Sequence, residues 1–349
     1  MRSEVYRQGP GKAALCFLAV CAVACRSAPA PERVSETRRL MGVPWTITLH
    51  AASRSAGREA LTAAFAEVAR LEGILSDYDP RSEVSRLSAA APMAEAVPVG
   101  ADLARVLELS VAFRDASGGG FDPTVGPLTT LWRQARRSGR LPRADKLDAA
   151  REAVGPRALV IAESGRAVRL PLAGTRLDLG GIGMGYAADR VLALLRDRGV
   201  AAALIDASGD VAVSGPPPGA AGWRISVRSL RGESAVGPTL LLANAAVTTS
   251  GDAHQGVEID GIRYSHIVDP RTGLGVTGPA AVTVIAPDCA TADALATAAS
   301  VLGPQAGARL IENYPHCAAR FIWVEGDQIH ESATASWAAH LADAPPRPE

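Results

Sequence analysis

Lysine is nearly absent from this chain: Lys12 and Lys146 are the only two among 349 residues. That removes the phosphate-binding lysine loop of nucleotide hydrolases and almost every chemistry built on a buried amine. An excess of either charge is also missing, since 36 basic residues meet 36 acidic ones. A nucleic-acid footprint needs clustered positive charge, so no nucleic-acid partner is expected. Cysteine is scarce, and three of the five lie within the first 25 residues. The other two, Cys289 and Cys317, could form one disulfide after export; with no spacing signature, two buried thiols fit better. No CxxC or HxxxH stands outside the leader, which argues against zinc.

What is present is apolar bulk. Hydrophobic residues make up 48% and charged ones 21%, enough for a large core and too little polarity for wholesale disorder. Arg2, Arg7 and Lys12 precede the apolar run Ala13 to Cys25, too short to cross a bilayer as a mature helix. Ala22-Val23-Ala24-Cys25 resembles the lipobox of bacterial lipoproteins, although leucine is usual where Ala22 stands. The alternative is an ordinary cleaved signal peptide. The expected organisation is a lipoprotein signal peptide (1–24), a flexible tether (25–40), one catalytic domain (41–341) and a disordered tail (342–349).

Periodicity predicts a strand at Pro44 to Ala51 and helices at Arg58 to Ser76, Ala101 to Ala116 and Ala144 to Val154. Short apolar runs at Ala158 to Ala162, Arg176 to Leu179, Ala201 to Ala207, Trp223 to Arg228 and Ala281 to Ala286 predict strands. Helices are expected at Gly185 to Gly199 and Thr291 to Leu302. Strands and helices interleave without a regular βαβ period, so the fold class is α+β around a mixed β-sheet.

Four glycines crowd into Gly180 to Gly185, between an apolar run and a helix. The dinucleotide fingerprint fails on spacing: from Gly181 it meets Tyr186, and from Gly180 it fails at Ile182. What survives is a backbone open to close approach, followed by a helix whose first N–H groups favour an anion, or else a bare turn. Asp293 and Thr297 are four apart on an alanine-rich helix and share a face. A carboxylate and a hydroxyl are hard oxygen ligands suited to Mg²⁺. Asp293 near a helix N-terminus also has a purely structural use. Asp-Pro turns recur after Tyr78, Phe121 and Val268, where Tyr78 and Phe121 could offer faces to a flat ring. His266 stands beside the third turn.

"MGVPWTI", "LSDYDPRSEVSRL", "SGGGFDPTVGPLTTLW", "DLGGIGMGYAADR", "VTTSGD", "YSHIVDPRTG" and "VTVIAPDCATADALATAASVLG" occur here in that order. Together they resemble the bacterial FAD:protein FMN transferase (ApbE-like) family over roughly Met41 to Gly303. The resemblance implies an ApbE-like fold and a Mg²⁺-dependent transfer of FMN from FAD to a Ser or Thr of an acceptor protein, releasing AMP. It implies that Met41, Tyr78, Gly120, Phe121, Asp122, Asp178, Met184 and, through backbone, either Ile267 or Val268 line the FAD site. It implies metal ligation by the Gly181 carbonyl, Asp293 and Thr297, with His266 and Asp293 as catalytic groups. It also implies an envelope location, with a lipid anchor on Cys25 and an electron-transport protein of the envelope as acceptor. Met184 stands where many relatives carry a charged residue, and Ala253 where an aromatic is common. Two alternatives stay open: an FAD pyrophosphatase giving FMN and AMP, and a non-catalytic FAD-binding lipoprotein.

Overall fold

The chain enters its fold through a hairpin. Strands β1 (Glu32–Leu40) and β2 (Val43–Ala51) pair antiparallel, with Leu40 opposite Val43. The loop is therefore Met41-Gly42, and both residues have positive φ, 48° and 79°. That is the two-residue turn whose twist matches a strand pair. Residues 32–40, expected within the tether, are thus part of the sheet. The charged run Glu32, Arg33, Glu36, Arg38 and Arg39 hides the strand from an apolarity search, because β1 is an edge strand and charge protects an exposed edge.

The computed structural model describes residues 30–162, 165–228, 236–251, 256–277, 280–326 and 328–342. The leader with Cys25, the position of Ala253 and nearly all of the tail lie outside the described residues. After β2 come α1 (Arg54–Leu75), α2 (Glu83–Ala89), β3 (Val97–Pro98), α3 (Ala101–Ala116), α4 (Gly126–Ser138), α5 (Ala144–Glu152), β4 (Val160–Ile161) and β5 (Ala167–Arg169). Then follow α6 (Gly183–Asp197), β6 (Ala202–Ala207), β7 (Asp210–Val213), β8 (Trp223–Arg228), β9 (Val236–Leu242) and β10 (Ala245–Gly251). The chain closes with β11 (Val257–Ile259), β12 (Ile262–Val268), β13 (Gly275–Thr277), β14 (Ala280–Ala286), α7 (Cys289–Glu312), β15 (Ala318–Glu325) and β16 (Gln328–Ala333).

The main sheet has eight strands in the order β1-β2-β6-β7-β10-β14-β15-β16. The α+β class holds, and every neighbouring pair in this sheet is antiparallel. Helices α1, α6 and α7 cover one face. There Trp45, Ile47 and Leu49 of β2 share a core with Leu61, Phe65, Val68, Leu71 and Leu75 of α1, the five positions with helical spacing. The other face is closed by the β8–β9 hairpin, where Trp223, Leu240 and Leu242 pack on Val211, Val213 and Val247. A smaller lobe joins α4 to the β11-β12-β13 sheet through Leu128, Trp132, Tyr264 and Val268.

The first half of helix α7, from Cys289 to Val301, is buried nearly all round, as its run of alanines suits. Gly303, at φ 78°, and Pro304 break it after Leu302, the end expected from the sequence. Arg176–Leu179 is not a strand. Its backbone threads between loops instead: Leu177 N–H donates to Ser88 Oγ (3.0 Å) and Asp178 N–H to the Pro123 carbonyl (2.9 Å). Its apolarity reports burial, which periodicity alone cannot separate from a strand. Cys289 and Cys317 are free and buried.

Candidate active site

The three Asp-Pro motifs fold alike. In each, the aspartate carbonyl accepts from the N–H three residues on: Ser82, Val125 and Thr272. In each, the carboxylate Oδ1 accepts from the N–H two residues on: Arg81, Thr124 and Arg271. These are turns closed by their own side chains. Asp122 is buried and also takes the Thr124 hydroxyl at 2.6 Å. Burial pushes its carboxyl above the usual range, while Thr124 pulls it back. Its neighbour Phe121 is not an open stacking face. The ring is buried edge-on to Phe113, because the glycines before it carry the loop down onto α7.

Helices α6 and α7 cross at Gly185, where an added Cβ would collide with the carbonyl of Cys289. That closeness lets Gly185 N–H donate to Asp293 Oδ2 at 3.2 Å. Asp293 is only 4% exposed. Burial, then the Asp210 carboxylate, holds its carboxyl well above the usual range. Asp189 adds to the negative field. Asp189 itself reaches across from α6, and its two oxygens accept from Cys289 and Ala290 N–H at the start of α7 (2.8 and 2.9 Å). Gly181 lies one turn further along: a Cβ there would stand 2.9 Å from Thr297 Oγ1 and 3.2 Å from Phe121 Cε2. Gly181 and Thr297 are thus brought together with Phe121, while Asp293, one turn back on α7, meets the glycine stretch at Gly185.

Asp178 opens that stretch. Its Oδ1 accepts from Gly180 N–H at 2.9 Å, which bends the chain into the glycine turn. Its Oδ2 accepts from Thr129 Oγ1 at 2.7 Å and from Arg133 at 3.0 Å. Arg133 also donates to Asp77 Oδ2 at 2.7 Å and lies 4.3 Å from the centre of the Tyr78 ring. Tyr78 is 75% exposed, so its outer face is open. Thr129 and Arg133, four apart on α4, escaped the sequence reading. Leu128, Trp132 and Ala135 are buried at helical spacing, and that stripe, with Pro127 at the start and Gly139 past the end, was the available signal for α4.

His266 is half-buried on β12, the strand packed against both α4 and α7. Trp132 Nε1 donates to the Ser265 carbonyl at 2.9 Å, and Ile267 N–H donates to Ser265 Oγ at 3.1 Å. Gly275 has no room for a side chain between Ser265 and Trp132. His266 is therefore held between two backbone anchors, with Val268 buried below it. Met41 sits at the tip of the first hairpin and Met184 in the first turn of α6; both lean on the main core.

A sequence profile of the ApbE family matches residues 41–321. A Treponema pallidum protein named FAD:protein FMN transferase is 34% identical over 280 residues, 76% of this chain and 77% of that one. The apo structure of Pseudomonas stutzeri flavinyl transferase ApbE superposes with a TM-score of 0.78 at 30% identity, covering 89% of this chain and 97% of that one. Flavin transferase ApbE from Vibrio cholerae gives 0.80 at 27% identity, over 90% and 100%. Profile, curated relative and solved folds agree over the same span, and the chain belongs to the ApbE family.

Proposed function

We propose that this chain is an FAD:protein FMN transferase: it moves the FMN half of FAD onto a Ser or Thr hydroxyl of an acceptor protein and releases AMP. The observation that carries the reading is the packing of Gly181 against Thr297 Oγ1, with Asp293 one turn away on the same buried helix. A hard-oxygen set of this kind fits Mg²⁺. Asp293 lies in a field of carboxylates, and the cradle at Gly181 is one a Cβ would fill. Among the described residues no group of three His, Cys, Asp or Glu is placed to hold a metal ion by itself. One carboxylate, one hydroxyl and one carbonyl suit an ion whose remaining ligands are waters and phosphate oxygens. When bound there, Mg²⁺ would neutralise the diphosphate and stabilise the departing phosphate of AMP.

The chain's own residues supply the rest. Asp178 bends the chain into the glycine stretch against which the diphosphate would lie. Tyr78 offers an exposed ring to one flat end of FAD. The acceptor Oγ attacks the FMN phosphorus, the bond from that phosphorus to the bridging oxygen breaks, and AMP leaves with that oxygen. His266, or a carboxylate beside the metal site, takes the hydroxyl proton. Phosphoryl transfer asks mainly for such positioning and charge compensation.

The leader supports export and lipid attachment at Cys25, and so an acceptor that faces the envelope, of the electron-transport kind. The test is incubation with FAD and Mg²⁺, with and without a candidate acceptor. Flavin fluorescence that stays with the denatured acceptor band supports transfer. AMP release with no labelled acceptor makes the protein a pyrophosphatase. Tight FAD binding with no AMP released makes it a flavin-binding protein.

A further inference from the structure

Arg133 has no part in the reading above, yet it ties together more of the site than any other side chain described. One guanidinium donates to Asp77 at 2.7 Å and to Asp178 at 3.0 Å, and packs its plane on Tyr78 at 4.3 Å. Asp77 and Tyr78 come from the loop after α1, Asp178 from the approach to α6, and Arg133 from α4. The next residue back, Trp132, holds the strand of His266. Burial, then Asp178, raises the Asp77 carboxyl above its usual range, and Arg133 opposes the shift.

The geometry points to Arg133 as a positioning residue for FAD, acting through Tyr78. An aromatic ring that is 75% exposed would ordinarily sample several orientations. Here the inner face rests on a guanidinium whose two N–H arms are committed to carboxylates on separate segments. The outer face is thereby held in one plane before any ligand arrives, and a flat ring stacks on it without first ordering the loop. A planar fork does this; an ammonium is a point charge and cannot span both carboxylates while covering the ring. The same cation limits the negative charge at Asp178, beside the glycine stretch where the diphosphate would lie.

This inference rests on the flavin-transfer reading, so FAD binding to the unaltered protein is measured first, in EDTA to prevent turnover, by quenching of flavin fluorescence. No binding there or in Mg²⁺ sinks that reading and this one together. Given binding, Arg133→Leu is expected to raise the FAD dissociation constant about tenfold. In a Tyr78→Ala background the same substitution is expected to change it less than about twofold, because the two side chains act as one device. Should Arg133→Leu fail to fold by circular dichroism, Arg133→Lys carries the test. It keeps the charge, loses the fork and is expected to bind several-fold more weakly. Unchanged affinity in the Arg133 variant, or equal losses in both backgrounds, would overturn the inference and leave the flavin-transfer reading standing.

Discussion

Asp293 and Thr297 were legible as a pair because a spacing of four on one alanine-rich helix puts a carboxylate and a hydroxyl on one face. Arg133 was not, since its partners stand at positions 77 and 178 and no local spacing links them. Phe121 was legible as aromatic beside a turn, but its burial depends on Gly181 and Phe113 and is visible only in the fold. At this scale we predict that Asp293→Asn keeps an acceptor for Gly185 N–H yet slows Mg²⁺-dependent AMP release on the order of a hundredfold or more. The metal-free variant should melt no lower than the parent, because burial already disfavours the ionised carboxyl and the amide never has to ionise. Timed AMP release and a thermal melt check both halves. Gly181→Ala should likewise cost activity, since its Cβ would press on Thr297 Oγ1 and Phe121. Wild-type turnover in that variant would show that the cradle is not used.

Among elements, helices with a plain apolar stripe were readable: α1 and α3 lie where periodicity puts them. Burial alone does not decide this: α5 lies where it was expected although none of its residues is buried, whereas the edge strand β1, helix α4 and the largely buried strands β10 and β15 were not expected. The contact between α6 and α7 belongs here as well. The sequence shows glycines, but only the fold shows that Gly185 is where two helix backbones meet. Gly185→Ala should force the helices apart and lower stability by about 1–3 kcal/mol, read as a lower denaturant midpoint with an unchanged slope. Since the same shift moves Asp293 away from Gly185 N–H, activity should fall with stability. Asp189→Ala should uncap the first turn of α7 and cost about 1–2 kcal/mol by the same measurement.

The whole molecule buries carboxylates that a cation would relieve. Burial pushes Asp210 up to about 7 and Asp189 to about 7. Both folded values lie above the ordinary carboxylate value of 3.8, so the folded state holds more protons between those pH values. The stability this supplies is complete below pH 3.8 and is lost as pH rises through about 7. The metal-free protein should therefore melt at a lower temperature at pH 8 than at pH 5.5, and Mg²⁺ at pH 8 should recover part of the difference. Melts in EDTA and in Mg²⁺ at both pH values test this; a flat profile in EDTA would contradict it. The α+β class was readable from the alternation of apolar runs, whereas the antiparallel order of eight strands rests on pairings between segments far apart in the chain. The most direct test is a crystal of this protein grown or soaked with FAD and Mg²⁺. The account predicts a cation held by Asp293, Thr297 and the Gly181 carbonyl, with the FAD diphosphate against it and one ring on Tyr78. Nucleotide bound elsewhere, or a cation that ignores those three groups, would contradict it.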